Sequence, residues 1–167
     1  MRVQFDTTKV YTSLAGNQEL DSKGVKLGYD FVDYNGSRFV MVQNNFSAVT
    51  VARDVVAWNR TADSPWAISQ FGEDNTAIHW MAGVICGAVA IGGYGWLQYK
   101  GRGTARTKGD GTAISIGDVL KLATGTFTAV KDVAYSTIPT YQNGFLIARA
   151  ASSAADALIA TSIHCQL

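Results

Sequence analysis

From Gly92 to Gly125 the chain reads GGYGWLQYKGRGTARTKGDGTAISIGDVLKLATG, alternating apolar and polar residues with a glycine every few positions. A helix needs an apolar stripe that recurs every three to four residues. Short runs at period two, broken by Lys108-Gly-Asp-Gly111 and Ile116-Gly-Asp118, read as strands and turns. Tyr94, Trp96, Gln98 and Lys100 then share one face, and Gly95, Leu97 and Tyr99 the other. Ile114 and Ile116, then Val119, Leu120 and Leu122, continue the pattern after a turn. The segment holds no nucleophile–base pair and no metal-ligand spacing, so it reads as scaffold.

The rest of the chain repeats this habit. Tyr29–Tyr34 and Arg38–Gln43 flank Asn35-Gly36, which predicts a hairpin with a type I′ turn. Arg53-Asp54 predicts a turn leading into a strand at Val55–Trp58. Trp66–Phe71 and Thr76–Met81 read as strands around a turn at Gly72–Asn75, and Ala82–Ile91 as a buried strand or a helical turn. Further strands are expected in Phe127–Val133, Tyr141–Ala150 and Ala157–Ile163. About ten short strands at this spacing predict an all-β fold, a compact sandwich or barrel of antiparallel strands with little helix. Residues 1–27 lack a sustained period and are expected to form an extended arm ahead of a single β domain over 28–167. No internal repeat stands out, although Arg53-Asp-Val-Val56 and Gly117-Asp-Val-Leu120 are two instances of one turn-into-strand device.

Composition narrows the function. A chain of 167 residues is long enough to fold without disulfides or metal, burying roughly 70% of its unfolded surface. Charged residues make up 16%, below the roughly 25% of ordinary soluble domains, which implies that part of the surface is covered by a partner. A net charge of +1 exerts no overall pull on nucleic acid or anionic lipid. The N-terminus lacks the apolar segment of a signal peptide, and no apolar run approaches the roughly 18 residues of a membrane span, so neither export nor a membrane partner is expected. Cys86 and Cys165 are accordingly expected to be reduced.

Reactive constellations are weak. His79, Cys86, His164 and Cys165 do not have zinc-ligand spacing, since adjacent residues of a strand point apart. No serine lies in a Gly-x-Ser-x-Gly elbow, and the adjacent acids Glu73-Asp74 fall in a predicted turn. Gly92-Gly-Tyr-Gly95 lacks the Lys-Ser/Thr ending of a phosphate loop. The expectation is a non-enzyme with no cofactor, no metal site and no small-molecule substrate. What stands out is cationic: Lys100, Arg102, Arg106 and Lys108, interleaved with Tyr99 and glycines. Such a cluster suits an acidic partner surface. A single-stranded nucleic acid, with Trp96 and Tyr99 as stacking platforms, stays open but is disfavoured by the near-neutral charge. Trp58, Trp66 and Trp80 leave a third reading, a viral tail or fibre module that recognises a host glycan.

Gly83-Val-Ile-Cys-Gly-Ala-Val-Ala-Ile91 followed by Tyr94-Gly-Trp-Leu-Gln98 and Ile116-Gly-Asp-Val-Leu120, together with the Tyr29–Gln43 hairpin, resembles the head decoration, or cement, proteins of tailed bacteriophages. The likeness runs from about Leu27 to the C-terminus. It implies a β-rich homotrimer, made in the host cytoplasm, that binds the major capsid protein on the outer surface of an assembled head and stabilises it. On that reading Phe5 and Tyr11 are arm anchors, Lys100, Arg102 and Arg106 meet the shell or a neighbouring subunit, and loss of residues 1–15 leaves the domain folded but weakly bound.

Overall fold

The computed structural model describes residues 5–17, 20, 23–59, 62–69, 81–108, 112–123, 125–131, 144–152 and 157–165. Eleven strands lie among them: β1 (Val10–Tyr11), β2 (Asp30–Val32), β3 (Arg38–Asn44), β4 (Val55–Trp58), β5 (Ala67–Ser69), β6 (Met81–Ile85), β7 (Tyr94–Arg106), β8 (Val119–Leu122), β9 (Ala129–Lys131), β10 (Gly144–Ala148) and β11 (Leu158–Cys165). The fold is all-β, as the alternation predicts, and the choice between sandwich and barrel falls to the barrel. Strands β3, β5, β4, β6 and the first half of β7 pair in that order, and β7 pairs back onto β3, closing a five-stranded ring. The run from Ala82, ambiguous between strand and helix, is strand β6 as far as Ile85. Glu73-Asp74, His79 and Trp80 lie outside the described residues.

Within the glycine-rich segment Tyr94–Arg106 is one continuous strand of 13 residues, and Val119–Leu122 is a second, entered through the turn expected at Ile116–Asp118. The second half of β7 leaves the barrel and pairs with β11, which pairs with β10, then β8, then β9. Gly101, with φ +103, sits at the departure point. A side chain there would press into Ser37 at 2.7–3.0 Å, so only glycine lets β3 and β7 cross this closely.

The pairing reveals a duplication that the residues hide. Each strand of the barrel has a counterpart 62–64 residues later: β3 and the second half of β7, β4 and β8, β5 and β9, β6 and β10, the first half of β7 and β11. In both halves the second strand pairs with the third and fourth, and the fourth with a neighbour that closes on the first. The parallel closure of β3 on β5 has its counterpart in a parallel bridge from Thr107 to Ala129. Loop hydrogen bonds correspond too. Arg53 N donates to Ile85 O and Gly117 N to Ala148 O, both at 2.8 Å, while Ile85 N reaches Asp54 O and Ala148 N reaches Asp118 O, both at 2.9 Å. Strand β7 therefore serves twice, as the last strand of the first lobe and the first strand of the second.

The shared turn-into-strand device is the most literal part of the repeat. Asp54 Oδ2 accepts from Val51 N at 2.7 Å, and Asp118 Oδ2 accepts from Ser115 N at the same distance. The residue before each aspartate has positive φ, 78° at Arg53 and 92° at Gly117. The turns predicted at both places are present, and each feeds an apolar strand as expected.

The β2–β3 hairpin forms where predicted, with a different turn. Type I′ needs positive φ at both central residues, but only Gly36 has it, at 79°. Gly36 N donates to Asp33 O, Asp33 N donates to Ser37 O, and Asp33 Oδ1 accepts from both Asn35 N and Ser37 N at 2.8 Å. The Asp33 carboxylate thereby selects a type I turn closed by a glycine bulge.

Two cores result. The main core runs through both lobes, from Val40, Val55 and Leu97 to Leu120, Leu146 and Ile163. The second lies outside the barrel, on the opposite face of β3 and β7, and gathers Phe5, Leu20, Val25, Phe39, Met41, Cys86 and Trp96. The described residues of the expected N-terminal arm thus pack back on the barrel. Phe5 lies with its ring centroid 4.9 Å from Phe31, 5.0 Å from Trp96 and 5.7 Å from Tyr29. Just beyond it, Val10 and Tyr11 pair with Gly95 and Tyr94.

Candidate functional site: a cationic sheet face

Strand β7 carries the candidate site on one of its two faces. Its even-numbered residues point away from the main core. Tyr94 and Trp96 come first, under the N-terminal segment; from Lys100 onward the same side of the strand presents Lys100, Arg102 and Arg106. The alternation predicted for this stretch therefore holds, and it brings the three predicted cations onto one side. Lys100 and Arg102 are exposed, and neither makes an ion pair among the described residues. Arg106 is partly exposed and reaches Asp54 Oδ1 at 3.5 Å. Burial pushes the Asp54 carboxyl above its ordinary value of 3.8 despite the hydrogen bond from Val51 and the nearby guanidinium.

The bend that presents Arg102 is held from beneath. Gln98 is buried, and its Nε2 donates to Arg102 O at 2.9 Å and Lys100 O at 3.4 Å, spanning the glycine. A side chain at Gly103 would run into Gln98 and Ile163, so the polypeptide is thin here by necessity. Between the bend and the β2–β3 turn lies an open depression of about 470 Å³, lined by Asp33, Asn35, Ser37, Phe39, Gln98 and Arg102.

The pairing partners extend the cationic side. His164 lies opposite Lys100, Ser162 opposite Arg102 and Leu158 opposite Arg106. Phe145, opposite His164, stacks on the imidazole at 5.1 Å. Sequence parity alone marks Leu158, Ala160, Ser162 and His164 as one face of a strand. That this face adjoins Lys100 and Arg102 depends on pairing across some sixty residues, for which the sequence carries no local signal.

The other predicted residues fall elsewhere. Phe5, expected to anchor a partner, is 7% exposed and seated against this chain's own rings, because Trp96, Phe31 and Tyr29 offer an apolar bed that a free aromatic fills. Tyr11 is half-buried at the edge of the same cluster. Trp96 is fully buried. Tyr99 is 4% exposed and donates its hydroxyl to Asp30 Oδ1 at 2.9 Å, so neither ring is placed to stack on a base. Burial first and the Asp30 bond second push the Tyr99 phenol up to about 12. Trp58 and Trp66 meet edge to face at 6.0 Å and pack on the main core. Cys86 and Cys165 belong to different cores, and burial pushes both thiols up to about 12. No group of three or more His, Cys, Asp or Glu placed to hold a metal ion occurs among the described residues.

The arrangement is a β scaffold that presents exposed cations on one face of its longest strand. No family model matches the chain, and no curated protein matches it significantly. Among solved structures, its fold is similar to that of the N base of head fiber gp8.5 from bacteriophage phi29, with a TM-score of 0.50 and 18% identity over 77% of this chain and 98% of that one.

Proposed function

We propose that this chain is a non-enzymatic structural protein of a phage virion, bound to the outside of the head. The observation that carries the reading is the fold shared with a head fiber base, which extends over 98% of that protein. The cationic side of β7 supports a role in adhesion. On this reading the protein decorates the major capsid protein as a homo-oligomer, a trimer by the resemblance of its sequence to cement proteins. Its mechanism is mass action: a subunit that binds only the mature shell lowers that state's free energy and opposes disassembly. Many modest contacts on one particle sum to a large stabilisation.

The test is location and consequence. Purified virions of the phage that encodes the chain should contain it by mass spectrometry, and antibody should label their heads. Virions made without it should lose DNA at a lower temperature. Absence from virions, or labelling confined to tails, refutes the reading. The glycan alternative draws less support, because Trp66 packs against Trp58 on one side and Gly28 on another.

A further inference from the structure

The duplication gives this molecule two equivalent outer sheet faces with different fates. On the barrel, Phe39 and the cross-strand neighbours Met41–Trp96 form the bed that Phe5, Leu20 and Val25 cover, and Gln98 lies opposite Phe39. The corresponding neighbours in the second lobe are Arg102–Ser162 and Thr104–Ala160. Where the first lobe offers rings and a thioether, the second offers a guanidinium and small side chains. An apolar segment like the N-terminal one gains little there, since there is little apolar surface to bury beside a charge that must stay solvated or paired.

The same face holds no carboxylate at the outward positions of the second half of β7, β11, β10 or β8, which instead carry Lys100, Arg102, Arg106, Lys121 and His164. Arg149, just past β10, is exposed as well. Asp33, which borders the face across the depression, already accepts two backbone N–H bonds through one oxygen. Apolar groups lie among the cations: Leu158 is 58% exposed, and Ile147 sits beside Ser162. Arginine beside exposed apolar side chains is a composition that protein contacts favour, and the two rings read as stacking platforms for a single strand, Trp96 and Tyr99, are buried.

We propose that the outward face of β7 from Lys100 onward, together with β11 and β10, is a docking surface for an acidic protein surface, centred on Arg102. The proposal deepens the adhesive reading above by naming the face and the charge of its partner. Seven residues of strand length and a few strands of width make a patch on the order of 400 Å², about half of what one partner contributes to a standard interface. Single contacts are therefore weak and depend on repetition across an array.

Three probes decide it: heads assembled without the protein, poly-L-glutamate, and a single-stranded DNA oligonucleotide. Each is titrated with the full chain, Arg102→Glu, Lys100→Glu and the charge-matched control Lys26→Glu, all checked for a native circular dichroism spectrum. The expected result is at least tenfold weaker binding to heads and to poly-L-glutamate for the first two variants, strong salt dependence, and an unchanged Kd for Lys26→Glu. Heads that bind all four proteins alike overturn the docking face and leave the virion reading intact. Poly-L-glutamate binding lost on Arg102→Glu, with no binding to heads, keeps the face and removes the head as its partner. Binding to neither, or tighter binding of DNA than of poly-L-glutamate, overturns the proposal.

Discussion

Replacing Phe5 with alanine tests whether the N-terminal segment belongs to the fold. The ring is 7% exposed, touches three other aromatic rings, and has the Lys23 ammonium 4.9 Å above it. Truncating a core phenylalanine costs about 3–5 kcal/mol. The segment is near a chain end and can detach, so the loss is capped by its own docking free energy. Burial of Phe5, Leu20 and Val25 at roughly 1.5–3 kcal/mol each, less the entropy of ordering the segment, places that cap toward the lower end of the range. The expected loss is about 3 kcal/mol, a fall in Tm of about 6–12 °C for a chain of this size. Urea and thermal unfolding followed by tryptophan fluorescence measure it, and acrylamide should also begin to quench Trp96. A loss below about 1 kcal/mol would refute the reasoning and return the segment to the status of a free arm, removable without cost to the domain.

Gly101→Ala should destabilise by about 2–4 kcal/mol, because a β-carbon meets Ser37 and the backbone has positive φ; denaturant midpoints within 0.5 kcal/mol of the parent would contradict this. Asp54 and Asp118 occupy equivalent turns yet should titrate on opposite sides of 3.8 by carboxyl ¹³C NMR, Asp54 above because it is buried, Asp118 below because Lys131 Nζ bonds it at 2.8 Å. Asp54 binds its proton more readily folded than unfolded, so its contribution to stability falls as pH rises from 3.8 through its raised value. Asp118's contribution is present above 3.8 and is lost as pH falls through its lowered value. Cys86 and Cys165 should resist a thiol reagent in the native protein at pH 8 and react in denaturant, since both are buried with thiols pushed up to about 12; rapid native labelling would show either core to be open.

The local chemistry of this chain is written in its residues. Period-two alternation from Tyr94 to Arg106 set two faces, and the structure gives Trp96 to one and Leu97 and Tyr99 to the other, as that pattern requires. Asp54 and Asp118 announced their turns because an aspartate that caps a backbone N–H three residues earlier acts within one tight loop. Tertiary structure decided what those strands adjoin. Closure of the barrel, the double service of β7 and the capture of Phe5 all depend on partners dozens of residues away. Backbone hydrogen bonds form those ladders whatever the side chains are, so the second lobe could keep the first one's pairing while exchanging Met41 and Trp96 for Thr104 and Ala160. Lys100, Arg102 and Arg106 were legible as a cluster, but only the placement of β11 and β10 beside them made the cluster a surface.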